Sequence, residues 1–152
     1  MSGFWTCLKR ELALAFKRLG DILTVVLFFT ITLCLLPFGL GTEKDLLQQV
    51  APAVIWVVAM LAVLLSLDQL LKRDQASGVI DHMLLAPISS VEYALAKWVA
   101  NWLTTALPLI MVTPLVSLLY FAPTETLRLL ILSLLIGTPS LTSLGLTASA
   151  LT

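Results

Sequence analysis

Charged residues along this chain are gathered into short clusters, separated by long apolar blocks. No Asp, Glu, Lys or Arg occurs between Asp21 and Glu43, between Asp45 and Asp68, between Lys97 and Glu125, or after Arg128. At about 1.5 Å per helical residue, each gap is long enough to cross a hydrocarbon core of roughly 30 Å. A backbone in lipid has no water to bond to, so it must satisfy its own N–H and C=O groups as a helix. The pattern therefore predicts an all-α, polytopic transmembrane helix bundle with spans at about 22–40, 50–67, 94–120 and 127–146. The 152 residues form a single transmembrane domain in this reading.

Helix breakers refine the spans. Pro37, Gly39 and Gly41 sit near the far end of the first span, and Pro52 is placed in the first turn of the second, where a missing N–H costs nothing. Pro108 and Pro114 predict a kinked or split third span. Gly137, Thr138 and Pro139 interrupt the fourth near its middle.

Ahead of the first span, residues 3–19 read as an amphipathic interfacial helix. Trp5, Leu8, Leu12, Phe16 and Leu19 recur at three- and four-residue steps, with Arg10, Lys17 and Arg18 opposite and Leu14 out of pattern. Such a helix suits the membrane interface, its aromatic side among headgroups and its cations toward anionic lipid. Tyr93, Trp98, Trp102 and Tyr120 lie toward the two ends of the third span and read as an interfacial aromatic belt.

Asp68 to Tyr93 is the longest polar interval. The second span should run on through Asp74, turn at Gly78, and be followed by a short helical stub ended by Pro87. Ile80, Met83 and Leu84 would form its apolar side, leaving Asp81 and His82 for polar contacts. Ser89 and Glu92 have capping-box spacing, with Ser89 as N-cap of the next helix. A stub tied to two spans is a point where a soluble partner can press on both. A loop dipping its leucines into lipid is the competing reading.

Orientation follows from basic residues. Lys9, Arg10, Lys17, Arg18, Lys72, Arg73 and Lys97 fall on one side, against Lys44 and Arg128 on the other. Seven against two places the N-terminus and the middle loop in the cytoplasm. No small-x-small cleavage site closes the first apolar run, so the first span itself is expected to direct insertion.

Composition narrows function further. Hydrophobic residues make up 59% and charged residues 12% of the chain, too little charge to cover a soluble domain of this size. The net charge of zero gives no reason to expect a nucleic-acid partner. Cys7 and Cys34 have no metal or redox spacing and should sit at different depths. The single histidine, His82, does not make a metal site. No phosphate-cradling glycine loop is present, so ATP binding by this chain is not expected. No acidic residue lies deep in a span, which disfavours a proton relay. Thr30, Thr32, Thr104, Thr105, Thr113, Ser117 and Ser133 are expected to bond their own helices or neighbours.

Several stretches, taken in order, carry a resemblance. They are Phe16-Lys17-Arg18, Ala51-Pro52-Ala53-Val54-Ile55-Trp56-Val57, Arg73-Asp74 through Gly78 to Leu84-Leu85-Ala86-Pro87, Leu95-Ala96-Lys97-Trp98, Pro108-Leu109, Pro114-Leu115 and Leu135-Ile136-Gly137-Thr138-Pro139. The chain resembles the heme exporter protein B family, the membrane subunit of the ABC-type machinery for cytochrome c maturation. The resemblance implies an ABC-2 type exporter membrane domain with six spans, of which four are present up to Thr152. The surface that spans five and six cover would then be open.

It implies a bacterial inner membrane location and a non-catalytic role. ATP would be hydrolysed in a cytoplasmic ATPase partner, and haem handled by the complex with no cofactor bound directly by this subunit. Further partners would be haem-handling and small membrane subunits and a haem chaperone, with haem delivery or chaperone release as the outcome. On this chain, residues 78–87 become the coupling helix region, with Arg73, Asp74, Gly78, Ile80, Asp81, His82, Met83 and Leu84 as docking residues. Trp5, Arg10, Lys17, Arg18, Tyr93 and Trp98 are the expected membrane-interface residues. A permease of the same architecture carrying a lipid or polysaccharide is the alternative.

Overall fold

In the computed structural model, which describes residues 2–77 and 89–151, every regular element is helical. Helix α1 spans Ser2–Lys17, α2 Leu19–Leu40, α3 Lys44–Ser77, α4 Ser90–Ser117 and α5 Thr124–Leu151, with a 3-10 turn at Leu118–Tyr120 between the last two. Four of these, α2 to α5, are long and apolar enough to cross a membrane. At 34 residues, α3 is about 50 Å long, well beyond one bilayer crossing.

The long helices form a ring in the order α2, α3, α5, α4, with α3 and α4 also touching across it. Phe29 and Leu33 of α2, Ile55 and Val63 of α3, Leu109 and Val116 of α4 and Leu134 of α5 fill the centre. Ala51, Ala59 and Ala62 let α3 approach its neighbours closely. Leu23, Leu27, Ile31, Leu35 and Phe38 of α2 face outward with Met111, Leu115, Leu129 and Ile136 of α4 and α5. An exterior this apolar is compatible with lipid and not with water.

The helices run on through their internal prolines, which excludes a split third span. Both α4 and α5 continue through Pro108, Pro114 and Pro139 without a break. Pro52 is not in a first turn, because α3 already starts at Lys44. Each proline leaves one carbonyl a turn earlier without its helical donor. For Pro37 that carbonyl is on Leu33, and the Tyr120 hydroxyl donates to it at 2.7 Å. Tyr120 is wholly buried, so its placement in an interfacial belt is corrected.

At the turn into α5, Phe121 adopts a left-handed conformation with φ of 50°. The Ala122 N–H donates to Ser117 O at 3.2 Å, satisfying a carbonyl at the helix end. The Phe121 carbonyl accepts from Gln48 Nε2 at 2.7 Å, and Lys44 Nζ lies 5.7 Å from its ring centre. These contacts tie the α2–α3 connection to the α4–α5 connection.

Candidate functional site

At the opposite end, α1 lies against the first half of α4. Cys7 and Leu8 are buried against Ala96 and Ala100, with Phe4, Leu12, Tyr93 and Val99 around them. Leu8 and Leu12 of the expected apolar stripe therefore face protein. Its other three members, Trp5, Phe16 and Leu19, are exposed. The exposed residues lie beside Lys9, Arg10, Lys17 and Arg18, which are exposed as well. The physical reason is residue size: Cys7 of α1 and Ala96 and Ala100 of α4 are small and allow close helix contact along that edge.

Helix α3 continues past its apolar stretch to Asp68, Lys72 and Arg73. Lys72 pairs with Asp68 at 2.6 Å, one turn apart on an exposed face, a contact of small energetic weight. Arg73 instead reaches back and forms an ion pair with Asp21 at the start of α2. Both partners are partly buried. The guanidinium that the sequence offered to a soluble partner is engaged inside the chain.

On the other flank, Ser89 is extended and its hydroxyl accepts from the Glu92 N–H at 3.3 Å. This is one half of the capping box expected from the spacing. Gly78, Ile80, Asp81, His82, Met83 and Leu84 lie outside the described residues, as does the side chain of Asp74. What the structure supplies is the frame on either side of that segment: α3 pinned to α2, and α4 capped and covered by α1.

Tyr93 is half-buried in the contact with α1, with Lys97 Nζ 5.7 Å from its ring centre. The Trp98 indole donates to Pro139 O at 3.3 Å, and Trp102 donates to Thr138 Oγ1 at 2.9 Å. Trp56 donates to Ser133 Oγ at 2.9 Å. These N–H groups are directed across to α5, so each indole donor serves interhelical bonding.

A Cβ on Gly137 would overlap the Trp56 ring, and one on Gly145 would overlap the Leu67 side chain. The glycine and proline that looked like an interruption are where α3 and α4 reach α5. Hydroxyls behave as expected: Thr30, Thr104 and Thr113 donate to carbonyls four residues earlier. Ser117 and Ser133 donate three residues back, while Thr105 pairs with Ser66 at 2.6 Å.

Asp21, which pairs with Arg73, and Asn101, whose buried Nδ2 has no partner, were not singled out by the sequence reading. The available signals were that Asp21 is the last charge before the first span, and that Asn101 is the chain's only asparagine and lies inside a charge-free stretch. Among the described residues no group of three His, Cys, Asp and Glu side chains could hold a metal ion.

Comparison with known proteins agrees with this architecture. The family model described as CcmB protein matches residues 2–152. Heme exporter protein B of Pseudomonas aeruginosa is 40% identical over 149 residues, covering 98% of this chain and 67% of the relative. The Haemophilus influenzae protein of the same name is 38% identical over 149 residues, with 98% and 67% covered. For Escherichia coli K12 the figures are 38% over 110 residues, 72% of this chain and 50% of the relative. The chain thus spans about two thirds of the length of the first two relatives. With its four membrane-length helices and a match from Ser2 to Thr152, the chain belongs to the CcmB protein family.

Proposed function

We propose that the chain serves as the membrane subunit of an ABC-type complex for cytochrome c maturation. It couples ATP hydrolysis in a cytoplasmic partner to haem delivery, or to release of a haem-loaded chaperone, outside the cytoplasm. The observation that carries this reading is the family match over nearly the whole chain. The relatives are named for haem export, and the role is brought to this chain from them.

The N-terminus and the segment 78–87 face the cytoplasm in this reading. Seven basic residues at that end against two at the other support it. The ATPase docks on Ile80, Asp81, His82, Met83 and Leu84, with Gly78 setting the turn and Asp74 at its edge. Force applied there passes into α3 and α4, which flank the segment. Because α2 packs along α3, with Arg73 paired to Asp21 at its end, α2 moves with α3. The bundle corresponds to four spans of a six-span, ABC-2 type exporter domain. Trp5, Arg10, Lys17, Arg18, Tyr93 and Trp98 hold the charged end at the membrane interface.

The test is affinity purification from membranes, with partners identified by mass spectrometry and haem quantified. A soluble ATPase and cytochrome-maturation subunits should copurify, and combined replacement of Asp81, His82 and Met83 by alanine should release the ATPase. Recovery of an ATPase with lipid- or polysaccharide-export components would point to the alternative cargo. An ATPase retained by the triple variant would reject the docking assignment.

A further inference from the structure

A cavity of about 40 Å³ opens at the charged end of the bundle, between the α1–α2 junction, α3 and α4. It has room for about three waters. Arg18 and Asp21 line it from the junction, Gln69 and Arg73 from α3, and Asn101 from α4.

Its chemistry is donor-rich. Asn101 Nδ2 is buried and has no hydrogen-bond partner, a state that is costly when nothing fills it. Ser66 and Thr105, also on the wall, share one hydroxyl proton at 2.6 Å, so the accepting member keeps its own proton to donate. Arg18 and Arg73 line the cavity together with Asp21, which is already paired with Arg73. Among the described residues Arg18 makes no ion pair. The cavity therefore carries one net positive charge and spare N–H and O–H donors, the surroundings an oxyanion requires.

Its level in the membrane narrows the source. Asp21 is the last charge of α2, Asn101 lies one turn inside Lys97, and Ser66 lies just inside Asp68. The cavity is thus at the boundary between charged and apolar chain, where lipid phosphates lie. Phe16, Leu19 and Leu23, on either side of Arg18 in the chain, are exposed and apolar, offering surface for acyl chains.

We propose that this cavity holds the phosphate of a phospholipid headgroup, with Arg18 and Arg73 supplying charge and Asn101 the buried donor. The Asp21 carboxylate is repulsive to that phosphate and is held off it by Arg73. The assignment does not depend on the transport reading, since lipid retention is measured without ATPase or haem.

The experiment is native mass spectrometry of the full chain in detergent. Dioleoylphosphatidylglycerol, dioleoylglycerol or inorganic phosphate is added at equal concentration. One phosphatidylglycerol per chain should be retained, with little dioleoylglycerol. Arg18→Gln, an exposed change that should leave folding intact by circular dichroism, should lower retention about tenfold. Asn101→Leu should do the same, while Lys9→Gln on the exposed side of α1 should not. Displacement of the lipid by inorganic phosphate would support the oxyanion site with free phosphate as its source. Equal retention of dioleoylglycerol, or losses as large with Lys9→Gln as with Arg18→Gln, would overturn the proposal.

Discussion

The Tyr120 hydroxyl donates at 2.7 Å to the carbonyl of Leu33, whose helical donor is missing because residue 37 is proline. A side chain 87 positions away completes the α2 ladder. Tyr120→Phe should then destabilise the bundle by about 0.5–2 kcal/mol, since it leaves a buried carbonyl unpaired. Pro37→Ala restores the helical donor, so in that background Tyr120→Phe should cost much less. Unfolding in detergent of the two single variants and the double variant measures the coupling.

Trp56 and Gly137 make a second interlocked pair. The ring carbon Cζ2 of Trp56 would lie 2.8 Å from a Cβ at position 137, and Cη2 closer still. Gly137→Ala should cost about 1–3 kcal/mol through overpacking. Combined with Trp56→Leu, which vacates the space, the alanine should cost little. Thermal unfolding of the singles and the double checks this, and additive losses would show that α5 shifts away instead.

The Asp21–Arg73 pair is only partly buried, with side chains 42% and 30% exposed. That exposure limits its worth to about 1 kcal/mol or less. Asp21→Asn and Arg73→Gln should each destabilise modestly, and by less in high salt, where exposed charges are screened. The exchange Asp21→Arg with Arg73→Asp should recover most of the loss. Denaturation at two ionic strengths separates the charge contribution from simple packing.

Side of the membrane is testable by labelling. With Cys7 and Cys34 replaced by alanine, single cysteines at Asp45, Gln75 and Thr124 should react with an impermeant maleimide. Positions 45 and 124 should react from one side and position 75 from the other. Reaction of all three from the same side would reject the four-span topology.

The helical spans were legible in the sequence because the demand that creates them is local. A backbone in hydrocarbon has to close its own hydrogen bonds wherever charges are absent. The same holds for the Ser89 cap, whose partner is three residues away. The interior faces were not legible. Phe29 and Leu33 point inward while Ile31 and Leu35 face outward, yet all four are equally apolar, so no periodic contrast marks the choice.

Only the tertiary structure decided that Tyr120 serves Leu33, that Gly137 receives Trp56, that Arg73 returns to Asp21, and that Asn101 borders a polar cavity. Each joins residues far apart in the chain, and each depends on which helix neighbours which. The sequence by itself determined the four long apolar helices, because transfer of charge into an apolar phase is costly at every residue taken alone. Helix packing adds no comparable contrast between protein interior and lipid. Its geometry comes instead from small residues, hydroxyls and indoles meeting across helices, which no single span specifies.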